Sequence, residues 1–345
     1  MFCSEITINF VFAIVARAFA RYTVLTTKGL EAGTMETQGM LMDVKRFAVH
    51  DGPGIRTTLF LKGCSLTCVW CHNPEGIGFG AQMAYYAHKC IGCGECVAAC
   101  RAGAQRMEAG RHAYVRAACT ACGACEPVCL GEAMKRFGRR VSLEEACAIA
   151  LEDRMFYGDG GGVTLSGGEP LMQADFAAAL LERLRKEGVH TAVDTCGNVD
   201  WAAFVKVLPH TDLFLYDVKH IDPRRHAALT GRSNEAILRN LRRLCETGKR
   251  VEIRMPLVPG ANDDEDTLRG IGALLGSLPI ERMRVLPYHS MARSKYAALG
   301  MEDTLPRVES PTEADVGRAV ALLRNCGVQA ISGRECHGNV LGKVF

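Results

Sequence analysis

The stretch that decides the fold is Gly63-Cys-Ser-Leu-Thr-Cys-Val-Trp-Cys-His-Asn-Pro74, in which Cys64, Cys68 and Cys71 form a C-x3-C-x2-C triplet. A cubane iron–sulfur cluster that only carries electrons binds a thiolate at every iron, so a triplet leaves one iron open. An open iron points to chemistry on a bound molecule rather than to electron storage. The alternative is a zinc knuckle or a set of buried thiols.

Composition sets the class of protein. The chain has 345 residues, 48% hydrophobic and 23% charged, which is enough for one large core and a small second unit. Its 41 basic and 38 acidic side chains give a formal charge of +3, too near balance to predict binding to nucleic acid or to an anionic membrane. Seventeen cysteines, an odd number grouped in C-x2-C runs, favour thiolate metal ligands over disulfides. We expect a cytoplasmic, monomeric protein that works under anaerobic conditions.

Residues 1–39 contain no motif, only a short apolar run at 8–16. The run lacks a basic segment before it and is too short to span a bilayer. We expect an N-terminal extension that is unstructured or that reflects an upstream start codon, with the true start at Met35 or Met40.

From about residue 141 onward, short β-like runs alternate with helical patterns, which predicts a parallel sheet. The predicted strands are 163–166, 191–194, 213–217, 251–254 and 283–286, with 57–61 as an earlier strand. Helix-like apolar spacing marks 175–187, 233–247 and 263–275. Polar motifs then fall at the carboxyl ends of the strands, where such folds build their active sites.

Between residues 80 and 138 the alternation stops, and two copies of C-x2-C-x2-C-x3-C follow each other at an offset of 29 residues. The cysteines are Cys90, Cys93, Cys96 and Cys100, then Cys119, Cys122, Cys125 and Cys129. The repeat resembles two-cluster ferredoxins, in which the fourth cysteine of each run ligates the other cluster. That resemblance groups Cys129 with the first three cysteines and Cys100 with the second three. A zinc site would instead use separate cysteine pairs.

The triplet, with an aromatic residue before its third cysteine and Gly-Gly-Glu-Pro at 167–170, resembles the radical S-adenosylmethionine (SAM) superfamily. Four further motifs narrow the resemblance to the activating enzymes of glycyl radical enzymes: Asp51-Gly-Pro-Gly-Ile-Arg56, Cys71-His-Asn-Pro-Glu-Gly76, Leu286-Pro-Tyr-His289 and Ser294-Lys-Tyr296. The likeness runs from about residue 40 to the C-terminus. It implies a partial (β/α)6 barrel over 40–79 and 139–345, with a ferredoxin-like insert at 80–138 that carries two 4Fe-4S clusters.

The resemblance also implies a role for each motif residue. The catalytic set is Cys64, Cys68 and Cys71, which hold a third 4Fe-4S cluster, and Asp51, which meets the glycine of a partner protein. The residues implied to bind SAM are Trp70, His72, Gly167, Gly168, Glu169, Lys219, Arg254 and His289. Asp194 and Asp217 are implied to hold a monovalent cation beside the SAM carboxylate. For Trp70, plain packing against the fold is an equal alternative.

The implied activity is reductive cleavage of SAM to a 5′-deoxyadenosyl radical, which abstracts an α-hydrogen from a glycine of the partner. A ferredoxin or a flavodoxin would supply the electron, and isethionate sulfite-lyase or choline trimethylamine-lyase is favoured as the partner by overall likeness. Two alternatives stay open. One is a radical SAM enzyme that acts on another peptide or metabolite, and the other is a ferredoxin-type electron carrier.

Overall fold

The computed structural model describes residues 37–305 and 307–333. The chain divides into two units, Met1–Glu36 and Thr37–Phe345, and only the second is described. The expected extension at 1–39 therefore lies almost wholly outside the described residues. Its last two positions, Gln38 and Gly39, are already part of the first strand.

A nine-stranded sheet organises the described chain. In spatial order its strands are β13 (Ala330–Ser332), β12 (Arg282–Pro287), β11 (Arg250–Leu257), β10 (Leu213–Asp217), β9 (His190–Thr195), β8 (Gly162–Gly167), β2 (Arg56–Leu61), β1 (Gln38–Ala48) and β7 (Arg139–Ser142). The first seven in this order are mutually parallel, and β1 runs antiparallel to both of its neighbours. The predicted α/β class with a mostly parallel sheet is confirmed.

All six predicted strands are present, whereas β1, β7 and β13 were not predicted. The register of β1 on β2 is interrupted twice, which breaks the alternation that would have marked it as a strand. β13 has three residues, too few to show a period. The Asp51 loop, which precedes the predicted strand 57–61, is the turn between β1 and β2.

The helices lie between the strands along the chain. They are α1 (Glu95–Ala99), α2 (Leu143–Leu151), α3 (Ala174–Lys186), α4 (Trp201–Val207), α5 (Pro223–Thr230), α6 (Glu235–Glu246), α7 (Glu265–Leu275), α8 (Arg293–Leu299) and α9 (Glu313–Asn325). The three predicted helices correspond to α3, α6 and α7. In α6, Ile237, Leu241 and Leu244 are buried at helical spacing, and α7 begins where the Asp264 side chain accepts a hydrogen bond from Thr267 N–H.

Both faces of the central strands are buried, which explains why they read as continuous apolar runs. In β10, Phe214 and Tyr216 belong to the main core, whereas Leu213 and Leu215 form a separate cluster with Ala192 on the opposite face. Polar residues therefore become accessible only where the strands end.

Residues 80–138 add two small antiparallel sheets. One pairs β3 (Gln82–Tyr85) with β6 (Met134–Phe137), and the other pairs β4 (Gln105–Glu108) with β5 (Arg111–Tyr114). Every cysteine in the described part of the chain is a free thiol. None of the described helices has both the length and the apolar character needed to cross a bilayer.

Candidate active site

The cysteine triplet lies in the loop that follows β2, at the carboxyl end of the parallel strands. Backbone hydrogen bonds hold this loop on both sides. Gly63 N–H donates to Gly76 O with an N–O distance of 2.8 Å, and Thr67 N–H donates to Thr230 O at 2.9 Å. The positions of the three thiols are therefore set by the fold around the loop.

The two glycines of the Gly-Gly-Glu-Pro motif let the loop after β8 pack directly on the cysteine loop. A Cβ atom on Gly167 would lie 2.1 Å from Leu61 O, and one on Gly168 would lie 2.4 Å from both Gly63 O and Gly76 O. Glycine is required here by the close approach of two backbones. For these two glycines the resemblance implies a contact with SAM, and the structure adds this packing of one loop on the other.

Glu169 is buried, and its carboxylate accepts hydrogen bonds from neighbouring residues of the protein. Oε1 accepts hydrogen bonds from Leu171 N–H at 3.0 Å and from the Thr195 hydroxyl at 2.8 Å, and Oε2 accepts one from Cys196 N–H at 2.7 Å. These bonds tie the loop after β8 to the end of β9. The structure thus brings Glu169 to the predicted site but directs its carboxylate into the protein.

The three thiols differ in acidity because their surroundings differ. A hydrogen bond with the Cys196 thiol holds the pKa of Cys64 below its usual value. Burial raises the pKa of Cys68 to about 11 and that of Cys71 to about 12. Since metal ligands must be thiolates, loading a metal at these two positions has to displace protons. Cys196 was assigned no role by the sequence, although it lies in the Asp-Thr-Cys-Gly motif at the end of β9.

Arg254 joins two of the predicted site carboxylates. Its Nη1 lies 3.2 Å from Asp194 Oδ2 and 3.9 Å from Asp51 Oδ1, and its Nη2 donates to His50 O at 2.5 Å. Its Nε is buried and has no partner among the described residues. Ser166, which sequence reasoning missed, donates from its hydroxyl to Asp194 Oδ2 at 2.8 Å. Arg254 therefore links the loop before β2, which carries Asp51, to the end of β9, which carries Asp194.

The two carboxylates beside Arg254 have opposite pKa shifts. Burial raises the pKa of Asp194 to about 6, although Arg254 opposes the shift. Burial also acts on Asp51, but the charges of Arg254 and Lys45 outweigh it and hold the pKa of Asp51 below its usual value. Asp194 is therefore the site carboxylate whose charge depends on pH in the mildly acidic range.

Asp217 and Lys219, both predicted site residues, form an ion pair at the end of β10. Lys219 is 8% exposed, and burial alone would lower its pKa, yet the charge of Asp217 raises it above its usual value. Lys219 is therefore a permanent cation in the site.

His72 and His289 stack on each other, with ring centroids 4.0 Å apart and 17° between the planes. Burial lowers the pKa of His72 to about 4, so the ring is neutral at pH 7, and its Nε2 is buried with no partner in the described structure. Trp70 packs instead in a small core with Val258 and Tyr288. This is the packing environment named above as the alternative for Trp70.

Comparison with known proteins decides the family. A family model described as the radical SAM superfamily matches residues 58–270. The choline trimethylamine-lyase activating enzyme of Oleidesulfovibrio alaskensis is 41% identical over 298 residues, which cover 84% of this chain and 96% of that protein. The chain belongs to the radical SAM activating enzymes.

A second relative is also an activating enzyme. The isethionate sulfite-lyase activating enzyme of Nitratidesulfovibrio vulgaris is 39% identical over 286 residues, covering 81% of this chain and 93% of that protein. A solved domain of a pyruvate-formate lyase-activating enzyme from Bacteroides vulgatus has 32% identity and a TM-score of 0.44, and covers 50% of this chain and 99% of that one. The family model and the two activating-enzyme relatives show that the chain is an enzyme of radical SAM chemistry.

In this activating enzyme, four of the eight motif cysteines of residues 80–138 surround one cavity. Cys90, Cys93, Cys96 and Cys129 line one cavity, together with Tyr85, His112 and Met134. Burial raises the pKa of Cys125 to about 11, and the neighbouring Cys119 and Cys100 act in the same direction. Among the described residues, no three Cys, His, Asp or Glu side chains are arranged to hold a single metal ion.

Two residues of the Ser294-Lys-Tyr296 motif hold the cysteine loop, a role that the sequence analysis did not assign. Lys295 Nζ donates to Glu75 Oε1 at 2.5 Å, and the Tyr296 hydroxyl donates to Cys71 O at 3.1 Å. Lys295 and Glu75 belong to two motifs of the same family resemblance, and this was the sequence signal that could have indicated their ion pair. Because the two residues are 220 positions apart in the chain, local patterns could not pair them.

Proposed function

We propose that this chain activates a glycyl radical enzyme, and that the partner is isethionate sulfite-lyase or choline trimethylamine-lyase. One observation carries the proposal: the carboxyl ends of the parallel strands bear both a loop with three free thiols and Arg254, which bridges Asp51 and Asp194. The relatives at 41% and 39% identity are named as activating enzymes of these two lyases, which supports the choice of partner.

Cys64, Cys68 and Cys71 are proposed to hold the catalytic 4Fe-4S cluster. Three free thiols on one loop form the donor set that such a cluster needs when one iron is left for another ligand. When bound, the cluster and SAM supply a 5′-deoxyadenosyl radical that takes an α-hydrogen from the partner's glycine. The chain itself has to bind, orient and exclude water, which a loop held by backbone hydrogen bonds on both sides can do.

SAM is proposed to contact the residues at the strand ends. Arg254 Nε and His72 Nε2 are buried and have no partner within the described residues, and buried polar atoms rarely stay without one. A ligand with carboxylate, amine and ring nitrogens would satisfy both. The proposed contact set is Trp70, His72, Gly167, Gly168, Glu169, Lys219, Arg254 and His289. In this set, Glu169 acts by holding the loop after β8 in place.

The charges of the site support a monovalent cation beside Asp194 and Asp217. The ion pairs at the strand ends join three carboxylates, those of Asp51, Asp194 and Asp217, to the cations Arg254 and Lys219, and all five side chains are less than about one-third exposed. Within these pairs, three negative and two positive charges leave one negative charge, which a monovalent cation or the sulfonium of SAM would balance.

Asp51 is proposed to meet the glycine segment of the partner. Its loop lies between β1 and β2, and its carboxylate accepts a hydrogen bond from the Thr58 hydroxyl at 3.0 Å while Arg254 lies on its other side. The side chain is 16% exposed, so one edge of the carboxylate can be reached from solvent.

The two further cysteine groups are proposed to hold two auxiliary 4Fe-4S clusters, for a total of three. The cavity shared by Cys90, Cys93, Cys96 and Cys129 supports the cross-pairing of a ferredoxin-like insert at 80–138. The rest of the chain, 40–79 and 139–345, would then form a partial (β/α)6 barrel. We propose a cytoplasmic monomer that takes electrons from a ferredoxin or a flavodoxin.

The test is anaerobic reconstitution followed by two assays, 5′-deoxyadenosine by chromatography and the glycyl radical by electron paramagnetic resonance (EPR). We expect about twelve irons in the wild-type chain and about eight after Cys64, Cys68 and Cys71 are all changed to Ala, with loss of SAM cleavage. Asp51→Ala should largely keep uncoupled SAM cleavage and depress the radical on the partner, whereas Arg254→Ala should weaken both.

Two outcomes would contradict these assignments. Production of 5′-deoxyadenosine by the triple cysteine variant would show that the catalytic cluster lies elsewhere. SAM cleavage without a glycyl radical on any neighbouring glycyl radical enzyme would favour a radical SAM enzyme with another peptide or metabolite as substrate.

A further inference from the structure

The insert has a structural repeat that matches its sequence repeat. The antiparallel pair β3–β6 and the antiparallel pair β5–β4 are related by the same offset of 29 residues as the cysteines. Tyr85 faces Met134 in the first pair, and Tyr114 faces Gln105 in the second. A residue of one half therefore has a counterpart with the same backbone position in the other half.

Hydrogen bonds to sulfur follow the same symmetry. Ala104 N–H donates to Cys100 Sγ at 3.3 Å, and its counterpart Ala133 N–H donates to Cys129 Sγ at 3.1 Å. Because the two halves share these backbone interactions, a chemical difference at equivalent positions becomes a difference between the two cysteine groups.

Such a difference occurs at two equivalent positions of the insert core. One half carries the thioethers of Met83 and Met134, both 3% exposed. The other half carries His112 in place of Met83 and Gln105, 2% exposed, in place of Met134. Burying an amide costs free energy unless its hydrogen bonds are made. The presence of a buried polar pair in just one of the two halves therefore needs a physical reason.

The polar pair spans the two cysteine groups. Gln105 Oε1 lies 2.7 Å from His112 Nε2, and the ring of His112 is part of the wall around the cavity of Cys96. With its oxygen bound to the histidine, the amide directs its Nε2 to Cys125 Sγ at 3.7 Å. Met134, the counterpart of Gln105, has no N–H to give to the other group.

We propose that Gln105, positioned by His112, makes the cluster at Cys125 more easily reduced than the cluster at Cys96, so that electrons pass from the Cys96 site to the Cys125 site. The inference rests on the proposed function, because it takes both cysteine groups as 4Fe-4S sites. An N–H hydrogen bond to a ligand sulfur stabilises the negative charge that reduction adds, and hydrogen bonds to the sulfurs are one of the terms that set the potential of a cluster.

The route is a series of one-electron transfers. A one-electron donor is oxidised as the Cys96 site is reduced, and that site is reoxidised as the Cys125 site takes the electron. No bond or proton is exchanged in either step. Both halves of the insert contact α8, the helix whose Tyr296 hydroxyl bonds to Cys71 O: Arg116 donates to Ala298 O at 2.8 Å, and Ala84 and Phe137 pack with Ala298 and Leu299.

The symmetry of the insert supplies the experiment. The full-length chain is reconstituted anaerobically and titrated electrochemically under EPR, with added SAM identifying the signal of the catalytic cluster. Gln105→Met introduces methionine, the residue found at the equivalent position of the other half. The variant should shift the distribution of electrons between the two auxiliary sites at least tenfold toward the Cys96 site. A tenfold shift corresponds to a change of 59 mV in the difference between the two one-electron potentials. Met134→Gln should make the potential of the Cys96 site more positive.

Met107→Gln is the matched control, because it adds the same amide on the same strand, β4, at a position that is 40% exposed. It should leave both auxiliary potentials unchanged. Unchanged auxiliary potentials in Gln105→Met and Met134→Gln, with about twelve irons retained, would overturn the inference and leave the proposed function intact. A shift in Met107→Gln equal to that in Gln105→Met would also overturn it.

Two results on iron content separate the inference from its premise. A wild-type chain that binds only about four irons would refute the auxiliary clusters, and the inference with them. If Gln105→Met alone loses iron, the Met134→Gln potential decides: a positive shift supports the inference and no shift overturns it.

Discussion

Replacing Glu169 with alanine should destabilise the free protein, because the carboxylate serves as an acceptor inside the fold. It accepts hydrogen bonds from Leu171 N–H at 3.0 Å, from Cys196 N–H at 2.7 Å and from the Thr195 hydroxyl at 2.8 Å. Burial raises the pKa of Glu169, and these hydrogen bonds oppose the shift. Three donors from two loops therefore depend on one side chain.

The magnitude follows from the donors that would be left without an acceptor. Each buried donor without a partner costs about 1–3 kcal/mol, so three give about 3–9 kcal/mol. Water that enters the space of the lost carboxylate would satisfy some of them, and we expect about 3–5 kcal/mol. Glu169→Gln keeps one acceptor oxygen but turns an NH2 group toward a backbone N–H, and should lose about 1.5–3 kcal/mol.

The assay is urea unfolding of the metal-free, reduced chain under anaerobic conditions, followed by far-ultraviolet circular dichroism. With a slope of about 3 kcal/mol per molar urea, the midpoint should fall by about 1–1.7 M in Glu169→Ala and by about 0.5–1 M in Glu169→Gln. Glu182→Ala, on the exposed side of α3, is the control and should stay within about 0.2 M of wild type. A Glu169→Ala midpoint equal to wild type, together with lost SAM binding, would refute the reasoning and assign the carboxylate to the ligand.

Two further predictions concern the charge of Asp194 and the support of the cysteine loop. Because the pKa of Asp194 is raised to about 6, the carboxylate loses its charge as the pH falls through that value. Its ionised fraction drops from about 97% at pH 7.5 to about 24% at pH 5.5, so SAM affinity at fixed K⁺ should fall about fourfold, and a flat profile would contradict the assignment. In equilibrium dialysis, Asp194→Asn should bind weakly and with no such dependence on pH. Tyr296→Phe removes the hydrogen bond to Cys71 O, worth about 1 kcal/mol, so a chelator should extract iron from the catalytic cluster about fivefold faster. An unchanged rate of iron release would show that Tyr296 does not support the loop.

The strands could be located from the sequence where their surroundings on both faces are apolar. β10 is an uninterrupted apolar run up to Asp217 because both of its faces are buried. β1 escaped detection because its pairing with β2 is irregular, and its polar residues alternate only in part. Pairing between distant segments, such as β1 with β7, has no local signature at all.

Motif residues could be placed at the strand ends, since a parallel sheet brings those ends to one edge. The contacts between individual side chains could not be predicted from the sequence in the same way. Arg254 was implied to bind SAM, and the fold also pairs it with Asp51 and Asp194. Glu169 was assigned to the SAM site, and burial together with three donors turns it inward.

The sequence by itself determined the positions of six strands and the membership of the family, because motif spacing and apolar periodicity act over a few residues at a time. Only the tertiary structure decided the acidity of Asp194, the partner of Arg254 and the unequal halves of the insert. These properties depend on burial and on distances between groups far apart in the chain, and no local pattern records them.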